Sequence, residues 1–157
     1  MDNIVWGIDP GLNGALALFS PEDHGIEIFD MPIMEVKKKR TIVPALVADI
    51  LRQHPAPIFI EQVNAMPNQG VTSMFNFGKG FGILLGVAAG LQMQVTTVTP
   101  LVWKRALKVP SGKDGSRERA TQLLPAFAQK FARKKDDGRA EASLISYYGF
   151  TYAQSVE

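Results

Sequence analysis

Short apolar runs broken by turn residues open the chain, and longer apolar stretches with helical spacing follow. Residues 4–9 read as a strand that ends in Asp9, and Pro10-Gly11-Leu12-Asn13-Gly14 has turn chemistry throughout. Residues 15–19 and 25–31 return as a second and third strand, which makes a meander. Lys37-Lys38-Lys39-Arg40 reads as a basic connector. Thr41 is placed to cap a helix running to His54, with Pro44 tolerated in its first turn. Residues 57–61 form a continuous apolar run closed by Glu61, the pattern of a strand buried on both faces. A polar loop over 64–73 leads into a long helix over 74–92. A fifth strand over 95–98 and a short helix from Pro100 to Leu107 come next. After a Lys/Gly/Ser-rich loop at 108–115, the pattern predicts helices over 116–133 and 136–148.

Three meandering strands followed by strand–helix alternation predict an α/β fold, a mixed five-stranded sheet with helices on both faces. The 157 residues fit one domain, and no repeat or linker divides them. The longest apolar run, residues 81–91, is shorter than a bilayer span, so no membrane segment is expected. Met1-Asp2-Asn3 carries no basic leader, and no secretory signal is read there. The absence of cysteine excludes disulfides, thiolate zinc sites and thiol catalysis. His24 and His54 are too few and too far apart for an imidazole cage, so any metal must be held by oxygen.

The net charge of +2 hides an asymmetry. Residues 1–100 carry 6 basic and 9 acidic side chains, whereas residues 101–157 carry 11 basic and 6 acidic ones. A one-sided basic surface is the electrostatic footprint of a polyanionic partner, although solvated helix faces give the same count.

Two acids, Asp9 and Glu61, end strands expected to be buried, where a carboxylate is costly unless paired, hydrogen-bonded or metal-bound. Asp136, Asp137 and Glu141 open the last helix. Asp136 and Asp137 fit an ordinary helix N-terminus, but Glu141 lies more than a turn inside, among Ala140, Ala142 and Leu144. Asp137 and Glu141 share one helix face, where two like charges repel. Such an all-oxygen set is what Mg²⁺ or Mn²⁺ prefers, and carboxylates converging from two strand ends and a helix suit two-metal phosphodiester hydrolysis. The spacing leaves open which acids take part.

The Asp9-x-Gly11-x-x-Gly14 hairpin brings backbone N–H groups beside a carboxylate, as in actin-like ATPases and sugar kinases. Those enzymes clamp a nucleotide between two such domains, and this chain supplies one. Gly78, Gly82, Gly86 and Gly90 recur every fourth residue in the long helix, at about 1 kcal/mol each relative to Ala. Close approach of another backbone would offset that cost, either the protein's own sheet or the same helix of a second subunit across a twofold axis. Phe75, Phe77 and Phe81 then belong to the core or to that interface. Asn64 and Met66, in the loop just past Glu61, are candidate contacts to nucleotide bases. Lys104 and Lys113, with the helix start at Ser116-Arg117, form a candidate phosphate site. Trp103 reads as a core anchor.

Gly7-Ile8-Asp9-Pro10-Gly11 with Gly14, Ile60-Glu61-Gln62, the glycine helix and the closing Asp137–Glu141 pair together resemble the RuvC family of Holliday-junction resolvases. The run over 65–71, with Phe77-Gly78, Trp103-Lys104 and Ser116-Arg117, is most similar to the phage and prophage branch. The resemblance implies a ribonuclease H-like fold and a homodimer that nicks opposed strands of a four-way DNA junction with Mg²⁺, or with Mn²⁺ in its place. It implies no small-molecule cofactor, and a cytoplasmic protein of a bacterial or phage-infected cell. Asp9, Glu61, Asp137 and Glu141 would then be catalytic metal ligands, with Asp136 competing with Asp137 for its place. Asn64, Met66, Lys104, Lys113 and Arg117 would contact DNA, and Phe75, Gly78, Gly82 and Gly86 would line the dimer interface. The bacterial pattern closes with Asp-x-x-Asp or His-x-x-Asp and places an aromatic wedge three residues after the strand-end Glu; here stand Glu141 and Asn64. The same fold could instead serve a broader branched-DNA nuclease, an RNA-processing nuclease or a non-catalytic binder of branched nucleic acid.

Overall fold

The computed structural model describes residues 3–22 and 25–153. Met1, Asp2 and His24, on which the leader and imidazole readings drew, lie outside them. Five strands form one sheet: β1 (Val5–Asp9), β2 (Ala15–Ser20), β3 (Gly25–Asp30), β6 (Ile58–Glu61) and β7 (Val95–Val98), in the order β3-β2-β1-β6-β7. The first three pair antiparallel, and β1–β6 and β6–β7 pair parallel, as the meander followed by alternation predicts. Helices α1 (Pro44–Arg52) and α2 (Val71–Gly90) cover one face. Helices α3 (Pro100–Ala106), α4 (Gly115–Leu123) and α5 (Asp137–Tyr148) cover the other.

The period of two along the strands sorts the core into two layers. Trp6, Ile8, Leu16 and Leu18 pack against α1 and α2, whereas Val5, Ala15, Ala17, Phe19 and Phe59 pack against α5 and its neighbours. By the same alternation Asp9 and Glu61 fall on the α5 side. The β1–β6 register pairs Gly7 with Phe59 and Ile8 with Ile60, so the two carboxylates follow directly at the strand ends. Helix α5 presses its small residues onto β1 and the following turn. A Cβ on Gly7 would stand 2.3 Å from Ala142 O, and one on Gly138 2.1 Å from Asn13 O. That contact sets Glu141 beside the end of β1.

The structure differs from the sequence reading at four elements. The basic connector is a second hairpin, β4 (Ile33–Val36) and β5 (Lys39–Ile42), turned by Lys37 and Lys38 in the left-handed region, with φ of 50° and 62°. Thr41 therefore lies in a strand, and α1 starts at Pro44 after an extended Val43. The helix expected over 116–133 breaks at Leu124, because Pro125 cannot donate and starts a 3₁₀ segment to Phe131. Helix α2 begins at Val71 and runs 20 residues, so the length argument against a membrane span, drawn from residues 81–91, fails. Its Leu84 and Ala88 dock on the sheet, Gly80 faces Ile42, and most of the rest is exposed. Gly78, Gly82, Gly86 and Gly90 meet nothing within 4 Å, so the sheet is not the partner their spacing anticipated.

Candidate active site

Asp9, Glu61 and Glu141 come together at the C-terminal ends of the parallel strands, each part-buried. Asp9 Oδ1 accepts from the N–H of Gly11 at 3.2 Å. The loop amide is thus turned onto the chain's own carboxylate, which weakens the reading of this hairpin as a nucleotide phosphate cradle. Burial pushes the Asp9 carboxyl up to about 8, reinforced by the charge of Glu141, while the Gly11 N–H favours ionisation and Glu61 and a hydrogen bond with Glu141 oppose it. Burial likewise raises Glu61, with Glu141 adding repulsion, against the opposing pull of the Trp103 N–H and the Lys104 charge.

Each carboxylate is held by a different element. Trp103 is fully buried and its indole Nε1 donates to Glu61 Oε2 at 2.9 Å. The reading of Trp103 as a core anchor describes its ring and misses its N–H; the signal was available, since a buried indole almost always finds an acceptor. Ser116 donates to Glu141 Oε1 at 3.4 Å, and the Lys104 ammonium lies 3.7 Å from the same oxygen and 5.4 Å from the Trp103 ring centroid. Lys104 therefore stands at the carboxylates themselves, with 42% of its side chain exposed.

The two acids that competed for one place separate. Asp136 is 1% exposed and accepts from the Arg133 backbone N–H and guanidinium at 2.9–3.2 Å. Burial opposes its charge, but these bonds and Arg139 outweigh it and hold the carboxyl below the usual range. It caps a turn and has no oxygen to spare for the cluster. Asp137 stands at the rim, with Oδ1 3.5 Å from Arg117 Nε, and both atoms are buried without a hydrogen-bond partner. Arg117 is not turned to solvent as a phosphate site requires: its guanidinium donates to Phe131 O at 3.3 Å and Ala132 O at 3.0 Å and pairs with Asp114. Lys113 is exposed in the loop before α4. Asn64 and Met66 are exposed beyond Glu61, Asn64 accepting from Gln62 at 3.4 Å and Met66 63% exposed. Phe75 is 69% exposed on α2, and Gly78, Gly82 and Gly86 lie on its open side.

Among the described residues, no three Asp, Glu or His side chains are placed so as to hold a metal ion together. The donor chemistry nevertheless fits a hard divalent cation: oxygen only, with Asp9 and Glu61 both raised by burial and mutual repulsion that such a cation would relieve. A cleft of about 890 Å³ leads away from Asp9 between the β1–β2 turn, the β4–β5 hairpin and residues 133–139. Arg40 ties the hairpin to that turn, donating to Asn13 Oδ1 at 2.7 Å and Leu12 O at 3.3 Å.

No family model matches the chain, and no curated protein does. Among solved structures it is similar to Thermus thermophilus RuvC in complex with a Holliday junction substrate, with a TM-score of 0.67 and 18% identity over 98% of this chain and 96% of that one. A second Thermus thermophilus RuvC structure gives a TM-score of 0.55 and 20% identity, covering 93% and 95%. At these identities the likeness speaks to architecture, and it establishes a RuvC-like, ribonuclease H-like fold.

Proposed function

We propose that this chain is a metal-dependent, structure-selective endodeoxyribonuclease that resolves four-way DNA junctions by paired nicks, of the phage-type branch of the RuvC-like enzymes. The observation that carries the reading is the convergence of Asp9, Glu61 and Glu141, with two carboxyls raised, on a RuvC-like fold. Asp9, Glu61 and Glu141 would hold Mg²⁺ or Mn²⁺ by drawing closer than they stand in the metal-free protein, with Asp137 joining from the rim. When bound, the metal activates water for attack on a phosphodiester and stabilises the departing oxygen.

The chain's own residues set up that chemistry. The Gly11 amide fixes one Asp9 oxygen, the Trp103 indole orients Glu61, and Ser116 orients Glu141. Lys104 neutralises the cluster before DNA arrives and is near enough to exchange Glu141 for a phosphate oxygen. The open face of α2, with Phe75, Gly78, Gly82 and Gly86, serves as the homodimer interface, since two helices with small residues approach closely. Pairing would place two active sites for opposed nicks.

The test is a nicking assay on a synthetic four-way junction beside linear duplex, three-way and flap DNA, and RNA of the same shape, with and without Mg²⁺. Symmetric Mg²⁺-dependent nicks confined to the junction support the resolvase. Cutting of every branched form, or of RNA, replaces it with a broader nuclease of the same fold. Binding without cutting in any metal makes the chain a binder, and the ligand assignment is then wrong.

A further inference from the structure

The β4–β5 hairpin is unlike the rest of the fold. All four β4 residues are exposed, so the hairpin stands off the core and is anchored mainly at its base, where Ile42 is buried and Val43 N–H donates to Pro32 O at 2.9 Å. Its two turn positions need positive φ, for which Asn-Gly is best suited, yet lysines fill both. A non-glycine residue in the left-handed region costs about 1 kcal/mol. The strained turn therefore displays ammonium groups at the tip of a ribbon that burying apolar surface does not explain.

Across the cleft, Lys134 and Lys135 are exposed and form no ion pair among the described residues. The acids on this side are mostly spoken for. Asp30 accepts bidentately from Arg139 at 2.7 and 2.8 Å, Asp136 is bound by Arg133, and Asp137 faces Arg117, whereas Glu35 is exposed on the hairpin. What remains is Lys134 and Lys135 on one wall, and on the other the hairpin, which lines the cleft with Ile33 and Arg40 and carries Lys37 and Lys38 at its tip. Lys104 stands at the carboxylates, so a polyanion lying across them meets cations there and again in this cleft.

We propose that the β4–β5 hairpin and the Lys134–Lys135 segment are the two walls of a clamp for the phosphate backbone of the DNA strand running past Asp9. This rests on the nuclease reading and adds a contact surface to it. Arg40, locked onto Asn13, fixes the hairpin relative to the carboxylates, so the clamp keeps its register with the reacting phosphate.

The test uses the full chain and a four-way junction in EDTA, with affinity measured from 50 to 200 mM salt. One variant carries Lys37→Asn with Lys38→Gly, which suits the turn and keeps the fold; another carries Lys134→Gln with Lys135→Gln. Arg52→Gln, at the far end of α1, is the charge control. Each lost phosphate contact lowers the slope of log affinity against log salt by about 0.9. Each double variant should then lose roughly tenfold less affinity than the parent across that salt range, while Arg52→Gln matches the parent. Unchanged slopes in both variants overturn the clamp while leaving the nuclease reading intact. So does loss of dimer in sedimentation with an unchanged slope, which makes the hairpin a protein interface. If the parent binds without cutting, the nuclease reading fails, but a reduced slope still supports the clamp. A parent that binds no nucleic acid overturns both.

Discussion

Replacing Asp9 by Asn should stabilise the metal-free protein, and more so as pH rises. Asp9 titrates near 8 in the fold against 3.8 when unfolded, because burial and the Glu141 charge disfavour its ionised form. Between those values the native state binds more protons than the unfolded chain, so stability falls as pH rises through the window. At about 1.4 kcal/mol per unit, the cost is about 2 kcal/mol at pH 5 and about 5 kcal/mol at pH 8. Glu61, also raised, adds in the same direction. The asparagine amide cannot ionise, and its carbonyl can still accept from the Gly11 N–H. Its amide N–H can likewise donate to Glu141, so that hydrogen bond is kept.

Urea unfolding in EDTA, followed by fluorescence, reads this directly, since Trp6 and Trp103 are both fully buried. Asp9→Asn should gain roughly 3 kcal/mol more over the parent at pH 8 than at pH 5. Mg²⁺ should then stabilise the parent at pH 8, by about 1.4 kcal/mol at ten times its dissociation constant, and leave the variant unchanged. A variant no more stable than the parent at pH 8, with the same pH slope, would refute the argument that the cluster stores unfavourable charge. Below pH 4 the sign reverses. Asp30 and Asp136 are both held below their ordinary value, so the stability they provide is lost as pH falls through their folded values.

Trp103→Phe keeps the buried ring and removes the donor to Glu61; since that N–H lowers the Glu61 carboxyl, the pH profile of single-turnover nicking should move to higher pH with junction affinity unchanged. Arg117→Ala removes two carbonyl contacts and the partners of Asp114 and Asp137, so urea unfolding should show a loss of about 1–3 kcal/mol, with the salt slope of DNA binding at the parent value because the guanidinium faces inward. Gly86→Leu meets no neighbour within 4 Å in the protomer, so it should fold as well as the parent yet sediment as a monomer. An unaltered dimer would move the interface away from this face of α2.

Where the chain speaks through period and punctuation, the sequence is a good guide. The strand periods, the Asp9 and Glu61 ends and the Gly7-x-Asp9 spacing are local features, and they suffice for a mixed five-stranded sheet and for the meeting of two carboxylates. The hairpin was hidden because its turn carries Lys-Lys, which has no turn signature; only the tertiary tie from Arg40 to Asn13 reveals why the chain doubles back. The start of α2 was hidden for a different reason. Val71 is 84% exposed, so no burial pattern marks the first turn of that helix.

The competition between Asp136 and Asp137 shows the limit of spacing as an argument. Both lie within five residues of Glu141, and a helix drawn from Asp136 would put either within reach of the cluster. The structure starts α5 one residue later, after a 3₁₀ turn over Lys134–Asp136, and the cap of that turn is Arg133. The arginine binds Asp136 through both its backbone N–H and its guanidinium, drawing the buried acid away from the site and into a structural role. Asp137, four residues before Glu141 on the same helix face, is left as the rim acid, with Arg117 to hold it. A charge that sequence assigns to DNA thus faces a carboxylate.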